Sequence, residues 1–321
     1  MKEAVFIYQN KEKWREYESC LSNIKRETPD TLADIYIDVT NDLSYAQTHY
    51  PGSKIGIYLN GLSSKLHQFI HEKKKWKFSQ LIDFWRIEVP SVMYQCRKEL
   101  LYSFLIFVIS AFIGAFSAVN DDTYARLLLG NYYVDMTLEN IEKGDPMAVY
   151  KQANESDMFW NITINNVMVS FYVFIYGMFT SIATAYLLIQ NAIDIGGFHY
   201  LFYQHGLLWE SFLAVWLHGT LEISAIIVAG CAGITMGNGW LFPKTYTRFE
   251  SFKRSAKKGV KIIIGTVPIF IIAGFIESYI TRHTGLPDAI RLLVILSSFA
   301  FVLFYYVIYP KKLCNHESRE N

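Results

Sequence analysis

Three ionisable side chains stand inside long apolar runs of this sequence, where a charge needs a physical explanation. His218 and Glu222 lie in the run 211–237, and Glu277 lies in the run 262–280. A charged group in the core of a bilayer costs several kcal/mol unless it is paired or neutralised. His218 and Glu222 are four residues apart, so they share one face of a helix. The sequence therefore predicts a polar cluster within the membrane.

The two carboxyl groups are predicted to lie at the same depth. Glu222 precedes Gly237 by 15 residues, and Glu277 follows Lys261 by 16 residues. The two helices flank one loop and run antiparallel, so a rise of 1.5 Å per residue puts both carboxyls roughly 22–24 Å from the cytoplasmic edge. Two further polar side chains are expected near this level: Asn165 and Asn166.

This cluster has three interpretations that the sequence leaves open. The groups could hydrogen-bond one another and lock helices together, form a proton or solute path, or build a metal or catalytic site. His218 and Glu222 supply two metal-ligating residue types in a weak HxxxE pattern, and His199 and His205 could add ligands only if the fold brings them close. No nucleophile motif, phosphate loop or HExxH occurs. The sequence therefore assigns no catalytic residue, no metal and no cofactor.

Small residues line one side of the helix that carries Glu222. Repeats of small side chains every four residues let two helix backbones approach closely in lipid. A shorter set on the run 167–190, Gly177, Ser181 and Ala185, is a candidate mate. The predicted packing ridge consists of Ala225, Ala229, Gly233 and Gly237.

The elements that position these residues are predicted to be membrane-spanning helices. A spanning helix needs about 20 mostly apolar residues, and five runs meet this requirement. A sixth segment, 193–209, contains Gly196 and Gly197 and suits a short or re-entrant element. The predicted fold class is an all-α, polytopic membrane helix bundle with an N-terminal helical cytoplasmic region. The five strong spans are 100–119, 167–190, 211–237, 262–280 and 292–309.

Basic residues of short loops indicate the orientation. Segment 120–166 holds three basic side chains against eight acidic ones, so it is predicted to lie outside. Loop 238–259 holds six basic side chains against one acidic one, so it is predicted to be cytoplasmic. Both assignments hold only if the region 191–237 crosses twice or folds back. The basic residues are Lys244, Arg248, Lys253, Arg254, Lys257 and Lys258.

The remaining domains follow from this topology. Residues 1–95 are predicted to be a cytoplasmic helical region, 96–310 the transmembrane domain and 311–321 a cytoplasmic tail, with both termini inside. Thr28 and Pro29 favour a helix start, and Pro51 can open a second helix. The basic cluster 73–77 suits either a helix lying on the inner leaflet or the solvated end of a helical bundle.

Composition excludes some partners. A formal net charge of +1 says nothing about nucleic acid, but no arginine-rich or lysine-rich face with base-stacking spacing occurs, so no nucleic-acid partner is predicted. The four cysteines are far apart in sequence and are predicted to be free thiols. The predicted spans are expected to contact membrane lipid.

Several motifs together resemble the stage II sporulation protein M family of bacterial integral membrane proteins. The resemblance covers about residues 90–310, and the N-terminal region resembles that of longer members. The motifs are Asn165-Asn166 followed by Gly177; His218-Gly219-Thr220-Leu221-Glu222 leading into Ala229-Gly230-Cys231-Ala232-Gly233; Pro243 and Arg248; and Ala273-Gly274-Phe275-Ile276-Glu277 with Thr281-Arg282 beyond.

The resemblance implies a scaffold of the bacterial cytoplasmic membrane. In spore formers, similar members are understood to hold cell-wall hydrolases together during engulfment. Longer members with a cytoplasmic extension tend to lie beside genes for an AAA ATPase and von Willebrand factor A-type proteins, which suggests an envelope complex. We therefore expect a non-enzymatic scaffold or subunit with envelope protein partners. The alternatives are an oligomeric channel or proton-coupled carrier that uses Glu222 and Glu277, with a homo-oligomer expected, and last an intramembrane metal-dependent hydrolase.

Overall fold

The computed structural model describes residues 2–22, 29–70, 78–120, 123–148, 154–282 and 286–320. These residues are almost entirely helical, and no strand occurs among them. The chain divides into two units, Met1–Lys77 and Phe78–Asn321. This arrangement confirms the predicted all-α class.

The N-terminal unit contains three helices that bury aromatic and aliphatic side chains. One core forms around Phe6, Trp14 and Leu59, and a second around Val39 and Leu66. These helices are α1 (Glu3–Ser22), α2 (Pro29–His49) and α3 (Lys54–Ile70).

The start of α3 differs from the prediction by three residues. Pro51 lies in a turn, because Gly52 takes a positive φ of 80° that does not belong to a helix. The backbone N–H of Gly56 then donates to Ser53 Oγ at 3.3 Å, which caps the first turn of α3. Thr28 and the basic cluster 73–77 lie outside the described residues.

The second unit contains the membrane helices. In the described part of the chain, five helices are long and apolar enough to cross a bilayer: Arg97–Asn120, Glu155–Met178, Leu208–Leu241, Arg248–Thr281 and Asp288–Asn315. The α-helices of this unit are α4 (Phe78–Asp83), α5 (Val89–Gln95), α6 (Arg97–Asn120), α7 (Tyr124–Leu129), α8 (Asn131–Glu142), α9 (Glu155–Ile175), α10 (Ser181–Gln204), α11 (Leu208–Leu241), α12 (Arg248–Phe275), α13 (Asp288–Leu303) and α14 (Tyr309–Glu320).

Among the described residues, three π-helical segments and one complete 3₁₀ turn connect some of these helices. The 3₁₀ turn follows α9, and one π segment continues α12. Their bounds are Phe84–Glu88, Tyr176–Met178, Ile276–Thr281 and Phe304–Ile308.

Helix α11 forms the centre of the bundle. It packs against α6, α9, α10, α12 and α13, and most of its residues are buried. The hydroxyl of Ser103 on α6 donates to the Ile227 carbonyl at 2.6 Å, which joins a second helix to this centre. A helix buried on most sides is largely apolar, and α11 is so except for a few polar side chains that include His218 and Glu222.

The helix boundaries around residue 180 differ from the prediction. Residues 167–190 do not form one helix, because α9 ends at Ile175 and α10 begins at Ser181. Thr180 adopts an extended conformation, and its hydroxyl accepts from the Ala183 N–H at 3.2 Å, so it caps α10. The turn residues between them are uncharged, so the length of the uncharged run did not mark the break.

Segment 193–209 is not a broken element. Residues up to Gln204 belong to the continuous helix α10, and only the turn at Gly206, with a φ of 72°, separates it from α11. A Cβ on Gly196 would lie 2.7 Å from the Ala115 backbone nitrogen of α6. The glycine therefore permits a close helix crossing, and does not interrupt the helix.

The connection between α11 and α12 is shorter than the predicted loop 238–259. Most of 238–259 is helical, because α11 extends to Leu241 and α12 begins at Arg248. The hydroxyl of Thr247 accepts from the Glu250 N–H at 3.3 Å and caps α12. Segment 120–166 contains α7, α8 and the first half of α9.

Candidate functional site

The polar cluster is built on three helices. Helix α11 presents His218 and Glu222 one turn apart, and the π segment after α12 presents Glu277. The ligand atoms of these three residues all lie within 4.8 Å of one another. π-helical segments are rare in proteins, and many of those that occur lie at functional sites. The fold therefore brings Glu277 to His218 and Glu222, which precede it by 59 and 55 positions in the sequence.

His218 is the most enclosed member of the cluster. Its side chain is 5% exposed and that of Glu277 is 12% exposed. The distance from His218 Nε2 to Glu277 Oε1 is 3.7 Å. Carboxylate oxygens of Glu222 and Glu277 lie within 4.8 Å of each other.

A threonine fixes the orientation of the histidine ring. The Thr281 hydroxyl donates to the Ile276 carbonyl at 3.3 Å, so its oxygen accepts from His218 Nδ1–H at 3.1 Å. These roles place the proton of the neutral imidazole on Nδ1 and leave the lone pair of Nε2 directed at Glu277. Sequence reasoning noted Thr281 only within a family motif, although its spacing of four from Glu277 places it on the same face.

One asparagine joins the cluster and its neighbour does not. Asn166 Nδ2 of α9 donates to Glu222 Oε1 at 2.5 Å. Asn165 lies on the exposed face of α9, because adjacent helical residues point about 100° apart. The predicted pair therefore contributes one side chain to the site.

The other two histidines are engaged elsewhere. His199 Nε2 accepts from Trp216 Nε1 at 3.1 Å, and its Nδ1 lies 2.9 Å from the Ile195 carbonyl. His205 Nδ1 lies 2.9 Å from the Leu201 carbonyl.

Two carboxyl groups and an imidazole so enclosed require compensation. A charged side chain at the centre of a membrane helix costs roughly 2.5–3.5 kcal/mol on insertion scales. A shared proton or a bound cation would each remove the repulsion between the carboxyls. The arrangement can therefore tie α9, α11 and α12 together, and it has the residue types of a cation site.

The small-residue ridge of α11 contacts the turn between α9 and α10. A Cβ on Gly233 would lie 2.5 Å from Thr184 Oγ1 and 2.8 Å from the Val173 carbonyl oxygen. A Cβ on Gly237 would lie 2.7 Å from the Ser181 Cα. Ala225 and Ala229 are completely buried. The ridge thus faces protein, and its partner is a turn and a helix start.

The predicted basic residues lie on the connection from α11 to α12, which carries Lys244, and on the first three turns of α12, and most of them are exposed. Arg254 pairs with Glu250 at 2.8 Å and stacks over the Tyr246 ring at 4.2 Å. Lys261 pairs with Glu88 at 2.7 Å, a contact that sequence reasoning missed because the two are far apart along the chain. Lys258 is half-buried, and the exposed members are Lys244, Arg248, Lys253, Arg254 and Lys257.

Comparison with known proteins adds two family matches. The model of the family described as stage II sporulation protein M matches residues 103–282. That of a domain of unknown function, DUF8413, matches residues 4–72. The chain is also similar to the uncharacterized protein MJ0706 of Methanocaldococcus jannaschii, with 25% identity over 191 residues, 58% of this chain and 82% of that protein. No solved structure matches the chain.

Proposed function

The chain belongs to the stage II sporulation protein M family, and from this membership we propose that it is a non-enzymatic membrane scaffold, a subunit of an envelope complex. It is a multi-pass membrane protein, with five helices long and apolar enough to span a bilayer in the described part of the chain. Its role would be to hold partner proteins at the membrane.

The observation that carries this proposal is the separate N-terminal unit. It has two small cores of its own and matches a different family from the membrane unit. Large apolar side chains on its helices are exposed, including Tyr8 and Ile57, each 74% exposed. Exposed apolar side chains on a folded module suit contact with a partner.

A second docking surface is proposed on the segment between α6 and α9. Helices α7 and α8 are joined by an ion pair of 2.6 Å between Arg126 and Asp135. They expose Leu127 and Tyr132, which are 79% and 83% exposed. In this proposal the polar cluster is the internal lock that holds the bundle in one arrangement.

The proposal is tested by isolating the full-length protein from its native membrane after mild cross-linking and identifying what copurifies. We expect an envelope protein or ATPase in a fixed ratio to the chain. Ile57→Asp should reduce its recovery without changing the amount of folded protein, and Ile7→Ala, at a partly buried core position, controls for altered stability. A homo-oligomer without a partner would contradict the scaffold.

The alternative, a channel or carrier, loses one of its supports. It relied on a glycine-broken segment, and α10 is continuous through Gly196 and Gly197. Solute-dependent proton flux in liposomes that Glu222→Gln abolishes would nevertheless favour it over the scaffold.

A further inference from the structure

We propose that His218, Glu222 and Glu277 bind one divalent transition-metal ion, with Zn²⁺ the expected ion. The ligands are His218 Nε2 and one carboxylate oxygen from each glutamate. This inference deepens the proposed function, because it names the ligand of the internal lock between α11 and α12.

The positions of the three ligand atoms fit a small cation. Zinc binds histidine nitrogen and carboxylate oxygen at about 2.0–2.2 Å, so the ligands of a tetrahedral site lie about 3.3–3.5 Å apart. His218 Nε2 and Glu277 Oε1 are 3.7 Å apart, and all three ligand atoms lie within 4.8 Å. Rotation of the glutamate side chains closes the remaining difference. Three protein ligands leave one coordination position for water or another small ligand.

The surrounding hydrogen bonds are those of a metal site. A metal-binding histidine donates its other ring N–H to a second group, which fixes the tautomer. His218 Nδ1–H donates to Thr281 Oγ1 at 3.1 Å, and the Thr281 hydroxyl is itself anchored on the Ile276 carbonyl. A ligating carboxylate is held in the same way, as Asn166 Nδ2 holds Glu222 Oε1 at 2.5 Å. These contacts direct the metal-binding atoms towards a common point.

Charge balance supports the same conclusion. Two glutamate carboxylates carry two negative charges, and a neutral imidazole carries none. A divalent cation between them gives a site with no net charge, which greatly reduces the cost of burying the carboxylates. Unlike a shared proton, the cation also uses the Nε2 lone pair as a ligand.

The experiment uses the full-length protein in mild detergent, purified through a C-terminal tag without histidines. Metal is quantified by mass spectrometry, and the metal-free protein is then titrated with Co²⁺ and with Zn²⁺. We expect about one ion per chain, a visible absorption band with Co²⁺, and a higher thermal midpoint when Zn²⁺ is restored. Glu222→Gln and Glu277→Gln, which keep the side-chain shape, should each weaken Co²⁺ binding at least tenfold.

His199→Gln is the matched control, because His199 is a half-buried histidine of the same unit whose ring contacts Trp216 and lies outside the cluster. It should bind metal as the wild type does. Absence of metal from the wild type together with no Co²⁺ uptake would overturn the proposal and leave a shared proton. Equal binding by the wild type and Glu277→Gln would overturn it too, as an adventitious ion only. If the variants do not fold, the wild-type titration still decides. None of these outcomes alters the copurification result, so the scaffold and the metal fail separately.

Discussion

Asp42 is the polar centre of the N-terminal unit. Its Oδ2 accepts from Trp14 Nε1 at 2.8 Å and pairs with Lys13 Nζ at 2.7 Å. Trp14 is buried among the helices, so its indole N–H has little access to water. A single carboxylate therefore satisfies a buried donor and a partly exposed cation.

Replacing Asp42 should loosen this unit in a graded way. Asp42→Leu removes the acceptor of the buried Trp14 N–H and is expected to lower the free energy of unfolding by about 1–3 kcal/mol. Asp42→Asn keeps an acceptor for Trp14 and loses only the ion pair with Lys13, so it should cost less. Hydrogen exchange of residues 29–70 in the full-length protein measures the difference. Equal protection in both variants would contradict the assigned role.

Tyr17 should titrate at an unusually high pH. Burial raises the pKa of Tyr17 above the ordinary value for tyrosine. The Asp38 carboxylate, which accepts a hydrogen bond from the Tyr17 hydroxyl at 2.8 Å, raises this pKa further. The neutral form is therefore favoured in the fold, and this stabilisation is complete at neutral pH and lost as the pH rises above about 10. The tyrosinate absorbance of wild type minus Tyr17→Phe should show the late titration. Asp38→Asn should bring it to lower pH, and an unchanged curve would count against the contact.

At the scale of elements, close backbone crossings hold α10 in place. Gly114 of α6 lies against the Ile193 backbone of α10, and Gly196 of α10 lies against the backbone of Ala111 and Ala115. Contacts of this kind depend on the absence of Cβ atoms at both crossing points.

Gly196→Val should therefore separate α6 from α10. The added Cβ meets backbone atoms that cannot rotate away. The free energy of unfolding should therefore fall by about 1–3 kcal/mol or more, as it does for overpacked cores. Gly219→Ala is the control, since its Cβ would lie 3.6 Å from the nearest atom, an ordinary contact. The amount of monodisperse protein in detergent and its thermal midpoint report the effect. Equal stability of the two variants would show that the crossing of α6 and α10 has room for a larger side chain, which contradicts the prediction.

The start of α10 depends on one hydroxyl group. Thr180→Val removes the acceptor for the Ala183 N–H and should cost about 1 kcal/mol, whereas Thr180→Ser keeps it. The thermal midpoint of the solubilised protein should fall for the valine variant alone. A comparable fall for the serine variant would point to the methyl group instead of the cap.

At the scale of the whole molecule, the separate N-terminal unit and the membrane unit agree with the two family matches. One match covers 4–72 and the other 103–282, and the division between the units falls at Lys77. A separate helical unit joined to a membrane bundle suits the scaffold that we propose.

The topology we propose has six crossings. If α10 spans along with the five more apolar helices, the segment before α9 lies on one side, and the α11–α12 connection and the C-terminus lie on the other. Cysteines introduced as Lys244→Cys and Asn131→Cys should then react with an impermeant maleimide from opposite sides of the membrane, with Lys244→Cys on the cytoplasmic side. Labelling of both from one side would exclude six crossings. The background is a parent in which the two partly exposed cysteines are replaced, Cys20→Ser and Cys314→Ser.

The sequence by itself determined the class of the protein and located three ionisable residues, His218, Glu222 and Glu277, within its long apolar runs. Long uncharged runs can bury their backbone polar groups in lipid only as helices, so their number and length predict a helix bundle. The helix rise alone predicts a common depth for Glu222 and Glu277, and the i,i+4 spacing placed His218 beside Glu222.

Only the tertiary structure decided where α9 ends and which groups meet. The turn at residues 176–180 contains no charged residue, so the uncharged run 167–190 continues through it, and the cap from Thr180 became visible only in the fold. The meeting of Glu277 with His218, and the turn of Asn165 away from Asn166, depend on how each helix is rotated about its axis. A helix that is apolar on every side has no sequence pattern that fixes this rotation, and packing against its neighbours sets it.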